Sequence, residues 1–264
     1  MKNPPEILGR IAESTLKRVE RAKVTLPPEQ IYGQSTAVKS IKTQSFANAL
    51  SAPGLSFICE VKKASPSKGI IAENFPYLEI AREYEEGGAA AISVLTEPEF
   101  FLGSDQYLRE ISAETKIPTL RKDFVIDPYQ IYEAKLWGAK AVLLICALLE
   151  EETISSFIKT ADELALDCLV EIHDETEAEE ALAAGARIIG INNRDLVTFK
   201  VDTGLTSRLI KKIPEGILTV AESGIKSKDD ILKIKDTGAD AVLIGECLMR
   251  SADKKGFLRE LLSV

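Results

Sequence analysis

Ionisable side chains occur at the ends of several short apolar runs, where neighbouring strands would bring them together. Glu60 and Lys62 close one run, Lys122 follows another, and Glu171 lies inside a third. Side chains two residues apart in a strand point the same way, so Glu60 and Lys62 share a face. Carboxylates and amines desolvated together have shifted pKa values, which suits proton transfer near neutral pH. Each residue alone is typical of a solvated loop or a rim ion pair, but the set favours acid–base chemistry.

Polar and glycine residues follow three later runs. They are Asn192 and Arg194, Ser223 and Gly224, and Gly245 and Glu246. Glycine at a strand end lets backbone N–H groups approach an oxyanion, and many barrels hold phosphate at the last two such turns. We therefore expect a phosphate site here, with Gly245 needed for close backbone approach and any positive φ. Ordinary turns that need glycine for φ alone are the alternative.

Metal and redox chemistry have little support in the residue pattern. His173 is the only histidine, and we interpret it as a polar loop residue. The four cysteines are widely spaced without a C-x-x-C pair, which indicates buried, reduced thiols. Neither the lysine-containing phosphate loop nor G-x-G-x-x-G after the first strand is present. We expect no metal and no organic cofactor.

Eight short apolar runs alternate with amphipathic segments through most of the chain. The runs lie near residues 57–61, 90–95, 117–120, 140–145, 168–172, 187–191, 217–221 and 241–244. Continuous apolar runs are typical of strands buried on both faces, which favours a parallel sheet with helical crossovers. Eight such units predict an α/β fold of the (β/α)8 TIM-barrel type. An open doubly wound sheet is the alternative, but it lacks its dinucleotide motif here.

The first part of the chain has a different pattern. Residues 7 to about 24 have helical apolar spacing, and Pro27-Pro28 ends it. The Pro53-Gly54 break precedes the first strand run. We expect an N-terminal helical extension over 1–54, packed on a barrel over 55–264, as a single domain overall.

Net charge and the lengths of the apolar runs restrict the cellular location and the binding partners that we expect. The 264 residues carry a formal net charge of −8, which argues against nucleic-acid binding. The opening residues lack an apolar leader, and no run approaches the roughly 20 apolar residues of a membrane span. We expect a cytoplasmic protein without a membrane partner.

Several segments together resemble one enzyme family. The string Glu60-Val-Lys-Lys-Ala-Ser-Pro-Ser-Lys-Gly69 is similar to the first-strand signature of indole-3-glycerol-phosphate synthases. Segments 120–130, 169–173, 190–196, 221–225 and 243–246 follow in the order expected for that family. The resemblance covers the whole chain and implies a cofactor-free TIM-barrel lyase of tryptophan biosynthesis.

The resemblance also implies catalytic roles. Lys122 matches the general acid that protonates the substrate ketone, and Glu171 the acid/base group that assists loss of water. Lys62 matches a second lysine that holds substrate anions and donates a proton. Glu60 and Asn192 match residues that orient the lysines and sugar hydroxyls.

Binding positions follow from the same resemblance. Ser223, placed with the catalytic set, and Arg194 match substrate contacts. The expected anion shell comprises Ser65, Gly224, Gly245 and Glu246, and the expected apolar pocket around the anthranilate ring comprises Phe124 and Leu196. Some relatives have serine where this chain has Glu246, whose carboxylate must then point away from phosphate. No N-terminal residue is assigned to the site.

The implied substrate is 1-(2-carboxyphenylamino)-1-deoxyribulose 5-phosphate, a small molecule, and a monomer is favoured. Phosphoribosylanthranilate isomerase and the tryptophan synthase α subunit are alternatives with similar barrels. A non-catalytic barrel that binds a sugar phosphate is a third. It would not need two lysines and two glutamates at its mouth.

We predict that an excess of chelator leaves the rate of indole formation unchanged. The proposed steps need only proton transfer and anion binding, for which no metal is required. The measurement is indole fluorescence before and after dialysis against chelator. Loss of activity that a divalent ion restores would contradict the cofactor-free interpretation.

Overall fold

Three helices precede the barrel strands. The computed structural model describes residues 2, 4–38 and 44–264. The three are α1 (Glu6–Thr25), α2 (Pro28–Ala37) and α3 (Phe46–Leu50). Leu8, Ile11 and Val19 form a buried stripe on α1, because residues three or four apart share a helix face. The helix expected from residue 7 to about 24 is α1. Residues 1, 3 and 39–43 of the expected extension lie outside the described residues, and its boundary at residue 54 stays a prediction.

Eight parallel strands form a closed barrel. They are β1 (Ser56–Val61), β2 (Ala91–Leu95), β3 (Thr119–Lys122), β4 (Ala141–Ile145), β5 (Asp167–Ile172), β6 (Ile188–Asn192), β7 (Leu218–Glu222) and β8 (Ala241–Ile244). Each strand pairs with its sequence neighbours, and β1 closes the barrel against β8. Every position of β4 and β8 is buried, as continuous apolar runs predict. The expected (β/α)8 barrel is confirmed.

Helices connect successive strands, and the last two helices follow β8. They are α4 (Tyr77–Gly87), α5 (Asp105–Glu114), α6 (Tyr129–Leu136), α7 (Glu151–Glu163), α8 (Glu175–Ala183), α9 (Leu205–Leu209) with a 3-10 turn Ile210–Lys212, α10 (Lys228–Lys235), α11 (Glu246–Arg250) and α12 (Lys254–Leu262). Gly88 ends α4 with a φ of 106°, a left-handed conformation that glycine adopts without strain. A short antiparallel pair, Ala64–Ser65 with Gly69–Ile70, lies in the loop after β1 and was not expected from the sequence.

A buried ion pair fixes α1 against the end of β3. Two guanidinium nitrogens of Arg18 donate to the two oxygens of Asp123, at 3.0 and 2.7 Å. Asp123 also accepts from the Thr96 hydroxyl at 2.7 Å and from Arg121 at 3.0 Å. Burial alone raises the pKa of Asp123, but Arg18 and Arg121 outweigh burial and hold that pKa well below its usual range. Because Asp123 follows Lys122, this contact fixes the backbone beside a predicted catalytic residue.

We predict that Arg18→Met lowers the free energy of unfolding by about 1–3 kcal/mol, because Asp123 loses a charged donor while it stays buried. The matched control is Arg82→Met, whose pair with Glu114 is about half exposed on both sides. That exposed pair is worth only about 0–1 kcal/mol. Urea denaturation followed by circular dichroism measures both. Equal losses in the two variants would contradict the assignment of Arg18 as an anchor of α1.

Candidate active site

A cavity of about 920 Å³ opens at the carboxyl ends of the barrel strands. Its lining includes every site residue predicted from the sequence: Glu60, Lys62, Ser65, Lys122, Phe124, Glu171, Asn192, Arg194, Leu196, Ser223, Gly224, Gly245 and Glu246. Chemistry in TIM barrels occurs at this face because the βα loops converge there. The fold thus brings the candidates together, while their individual roles stay predictions.

Lys122 lies at the centre of a buried acid–base cluster. Its Nζ is 3.1 Å from Oε2 of Glu171 on β5 and 3.4 Å from Oε2 of Glu222 on β7. Burial alone lowers the pKa of Lys122, but Glu171 and Glu222 outweigh burial and raise that pKa well above its usual range. Lys122 is therefore an ammonium group that can donate a proton to a bound substrate.

The two carboxylates beside Lys122 are not equivalent. Burial raises the pKa of Glu222 to about 7 against the opposing effect of Lys122. Burial also raises the pKa of Glu171, but Lys122 and His173 outweigh burial. They hold the pKa of Glu171 well below its usual range. Glu171 also accepts from the Asn192 amide at 3.2 Å, whereas Oε1 of Glu222 has no hydrogen-bond partner among the described residues. A proton shared by the two carboxylates therefore favours Glu222 over Glu171.

Glu222 is a candidate that the sequence analysis did not place in the site. Its carboxylate occupies space that Gly190 on β6 leaves open, because a Cβ at Gly190 would collide with Oε1. The sequence signal was present, since Glu222 ends an apolar run just as Glu60 and Lys62 close theirs. Its register partner on β6 is Asn192, which also lines the cavity.

Glu60 and Lys62 form the second charged group of the cavity. The ammonium of Lys62 donates to Oε1 of Glu60, so the two side chains point the same way, as the alternation along β1 predicted. Gly245 packs against this pair. Its φ is −125°, so the expectation of a positive φ at Gly245 is wrong. A Cβ there would lie 2.5 Å from Oε1 of Glu60 and 3.1 Å from Nζ of Lys62, so glycine is required for space.

The turn after β7 lies at the predicted anion site. Ser223 and Gly224 line the cavity and have φ values of 66° and 87°. Non-glycine residues seldom adopt positive φ, and such strain concentrates at functional turns.

The carboxylate of Glu246 has partners outside the backbone turn. Its Oε1 is 3.2 Å from Nε of Arg250 and 3.7 Å from Nζ of Lys68. These cations hold the negative charge at the N-terminus of α11. Arg194, the other expected anion contact, donates through its guanidinium to the Phe199 carbonyl at 3.2 Å.

The apolar side of the cavity extends further than expected. Phe124 and Leu196 line it as predicted, and the Phe101 ring lies 5.9 Å from that of Phe124. Three residues of α1 also line it: Ile7, Leu8 and Ile11. The sequence analysis assigned no N-terminal residue, because the apolar spacing of α1 indicates only that one face is buried.

His173 lies in the loop after β5, as expected, but its side chain is largely buried between two carboxylates. Among the described residues no group of three or more histidine, cysteine, aspartate or glutamate side chains is placed to hold a metal ion. Within the same residues no helix is both long and apolar enough to cross a membrane.

The closed barrel, with a buried lysine–carboxylate cluster in its cavity, has the architecture of a TIM-barrel enzyme. A family model described as indole-3-glycerol phosphate synthase matches residues 8–261. The indole-3-glycerol phosphate synthase of Ruminiclostridium cellulolyticum is 54% identical over 255 residues, 97% of this chain and 98% of that protein. Its counterpart from Endomicrobium trichonymphae is 53% identical over 255 residues, 97% of this chain and 99% of that protein. The chain belongs to the indole-3-glycerol phosphate synthase family, whose members are carboxy-lyases.

Solved structures support the fold alone. The thiamine phosphate pyrophosphorylase of Pyrococcus furiosus superimposes with a TM-score of 0.60 at 21% identity. The match covers 79% of this chain and 94% of that one.

We predict that Gly245→Ala lowers kcat as well as raising KM, because the new methyl group displaces Glu60 and Lys62. Misplacement of a catalytic group by about 1 Å can cost roughly 10²-fold in rate. Steady-state kinetics with the proposed substrate measure both constants. The control is Gly33→Ala on α2, where an added Cβ meets no atom within 4 Å. A normal kcat in Gly245→Ala would show that the Glu60–Lys62 pair tolerates displacement.

Proposed function

We propose that this chain converts 1-(2-carboxyphenylamino)-1-deoxyribulose 5-phosphate to indole-3-glycerol phosphate, CO2 and water. The observation that carries the proposal is Lys122, a buried ammonium within 3.4 Å of both Glu171 and Glu222, at the base of the cavity. The family match adds to this support and does not favour the isomerase alternative.

The cavity suits the shape and charge of that substrate. Its volume of about 920 Å³ lies within the range of small-molecule sites. Phe124 and Leu196 supply an apolar surface for the anthranilate ring. Lys62 and the turn at Ser223 and Gly224 supply positive charge and N–H groups for the carboxylate and phosphate.

Ring closure comes first in the proposed sequence. The ring carbon that bears the carboxylate attacks the ketone carbon, and the carbonyl electron pair moves to oxygen. Lys122 donates its proton to that oxygen, so the developing negative charge is neutralised as the new C–C bond forms. Neighbouring carboxylates keep Lys122 protonated in advance of this step.

Loss of CO2 and of water completes the sequence. As CO2 leaves, the electron pair of the broken bond returns to the ring. Lys62 then donates a proton to the hydroxyl, which departs as water. The Glu171 carboxylate accepts the proton whose removal forms the final double bond. Glu60 positions Lys62 by accepting a hydrogen bond from its ammonium group. Asn192 positions Glu171 by donating a hydrogen bond from its side-chain amide to the carboxylate.

The proposal includes a cytoplasmic setting and a monomer that acts on a small molecule, without nucleic acid or membrane. The net charge of −8 supports a role away from nucleic acids. All four cysteines are free thiols, which is typical of a reducing compartment.

Incubating the purified protein with the carboxyphenylamino substrate should produce indole fluorescence together with CO2. Turnover of phosphoribosylanthranilate in its place would identify the isomerase instead. Binding without turnover would identify a non-catalytic sugar-phosphate barrel.

We predict that Lys122→Met and Glu171→Gln stop the reaction at different points. Loss of a general acid typically lowers the rate about 10²- to 10⁴-fold, and Lys122→Met also removes a charge, so neither CO2 nor indole should form. Glu171→Gln keeps hydrogen bonding but cannot accept a proton, so CO2 release should precede indole formation. Single-turnover experiments that follow the two products separately measure the difference.

Matched controls are Lys159→Met and Glu152→Gln, two exposed positions on α7 that make the same chemical changes away from the cavity. Both should keep normal rates. Near-normal turnover in Lys122→Met, or equal loss of CO2 and indole in Glu171→Gln, would overturn the assigned roles.

A further inference from the structure

His173 joins the acid–base cluster to α8. Its Nε2 is 3.4 Å from Oε1 of Glu171, and its Nδ1 is 3.0 Å from Oε2 of Glu177. The side chain is only 15% exposed, so solvent screens these contacts far less than those of a surface pair. A change of charge at His173 is therefore transmitted directly to Glu171.

Glu177 determines which nitrogen of His173 carries a proton. Its Oε2 accepts the backbone N–H of His173 at 2.7 Å and also contacts Nδ1. Asp174, the N-cap of α8, accepts the backbone N–H of Glu177 at 2.8 Å and so fixes this first turn. An ionised carboxylate can only accept hydrogen bonds, so Nδ1 is protonated whenever Glu177 is ionised.

Two states of Nε2 then remain, and each requires a different state of Glu171. A neutral imidazole directs a lone pair at Oε1, which is compatible only with a protonated Glu171. An imidazolium directs an N–H group at Oε1 and favours the carboxylate. Nε2 forms no hydrogen bond with any described residue, so its 3.4 Å contact with Oε1 of Glu171 is an interaction between charges. Burial alone lowers the pKa of His173, but Glu171 and Glu177 raise it to about 10, so the imidazolium state holds at neutral pH.

Other charged groups around His173 do not reverse this preference. Asp195, in the loop after β6, adds an anion on the same side. Lys2 also lies there, but its ammonium is bound by Glu180. Arg194 donates to a backbone carbonyl, and Lys122 lies beyond Glu171.

A second cavity gives His173 its own contact with water. This cavity, of about 420 Å³, is lined by His173 and Glu177, whereas Glu171 lines the larger one. Asn192, Arg194 and Leu196 line both cavities, whereas His173 lines only the smaller one. His173 can therefore exchange its proton with solvent while substrate fills the larger cavity.

We propose that His173 is a positioning residue for Glu171: as an imidazolium it binds Oε1, keeps Glu171 a carboxylate beside Lys122, and leaves the cluster's shared proton on Glu222. This inference rests on the proposed role of Glu171 as the base in the loss of water. Without the cation, Glu171 and Glu222 become similar neighbours of Lys122, and the proton divides between them.

The role of Glu171 as a base fixes the direction in which the pH profile of indole formation should move. Glu171 accepts a proton only when ionised, so indole formation is retained above its pKa and lost as pH falls through it. Removal of the His173 charge raises the pKa of Glu171. Because a charge within about 4–6 Å shifts a pKa by about 1–3 units, we expect the acidic limb of indole formation to move up by at least about one pH unit.

The test compares His173→Gln, which can donate a hydrogen bond without charge, with His173→Lys, which restores a cation. Single-turnover CO2 release and indole formation are measured from about pH 3 to pH 9, because the pKa of Glu171 in the unmodified chain lies well below the ordinary carboxyl range. In His173→Gln indole formation should fall roughly tenfold near the acidic end and recover at high pH, with CO2 release little changed. In His173→Lys the profile should return toward that of the unmodified chain.

Thermal unfolding of both variants identifies any loss of folded protein, so reduced activity can be corrected for it. An unshifted limb in His173→Gln, or equal profiles for the two variants, overturns the inference while the proposed function stands. A chain with native His173 that forms no indole overturns the proposed function itself. Equal loss of CO2 and indole in His173→Gln would show that the residue acts before the loss of water and would also overturn the inference.

Discussion

A buried ammonium group must be surrounded by anions, and Lys122 imposes this requirement on the rest of the site. Desolvation of a lone lysine would lower its pKa and remove its charge. Glu171 and Glu222 prevent this, but two buried carboxylates near one another also repel. The cluster resolves the conflict with one shared proton and with a second cation, the imidazole of His173. Its protonation states are therefore properties of the group rather than of single residues.

Barrel closure is what makes this cluster possible. Lys122, Glu171 and Glu222 end β3, β5 and β7, and alternate strands of a barrel direct side chains into the same interior layer. The strand between the two carboxylates contributes Gly190, whose missing side chain leaves room for Glu222. The Arg18–Asp123 pair ties α1 to the residue next to Lys122. The N-terminal helix α1 thus helps to hold the backbone beside Lys122.

The sequence predicted the parts of this structure that depend on local pattern. Continuous apolar runs predicted the eight strands, and alternation along β1 predicted that Glu60 and Lys62 share a face. Gly245 lines the cavity as expected, but its need for space comes from side chains of β1, which the local pattern could not show. Glu222 and the α1 residues were missed for a related cause. Their contacts form only when distant segments meet, and a carboxylate in an apolar run does not by itself distinguish a catalytic group from a rim ion pair.

The phosphate side of the cavity shows how an acidic protein can bind an acidic ligand. Lys68 and Arg250 both contact the Glu246 carboxylate, which offsets one of their two positive charges. Ser223 and Gly224, both with positive φ, line the cavity near these side chains, and their backbone N–H groups are uncharged dipoles. Fixed dipoles also carry no counter-charge that a phosphate must displace. We therefore expect the backbone of this turn to contribute to the proposed phosphate contact, together with the net positive charge of the Lys68–Glu246–Arg250 group.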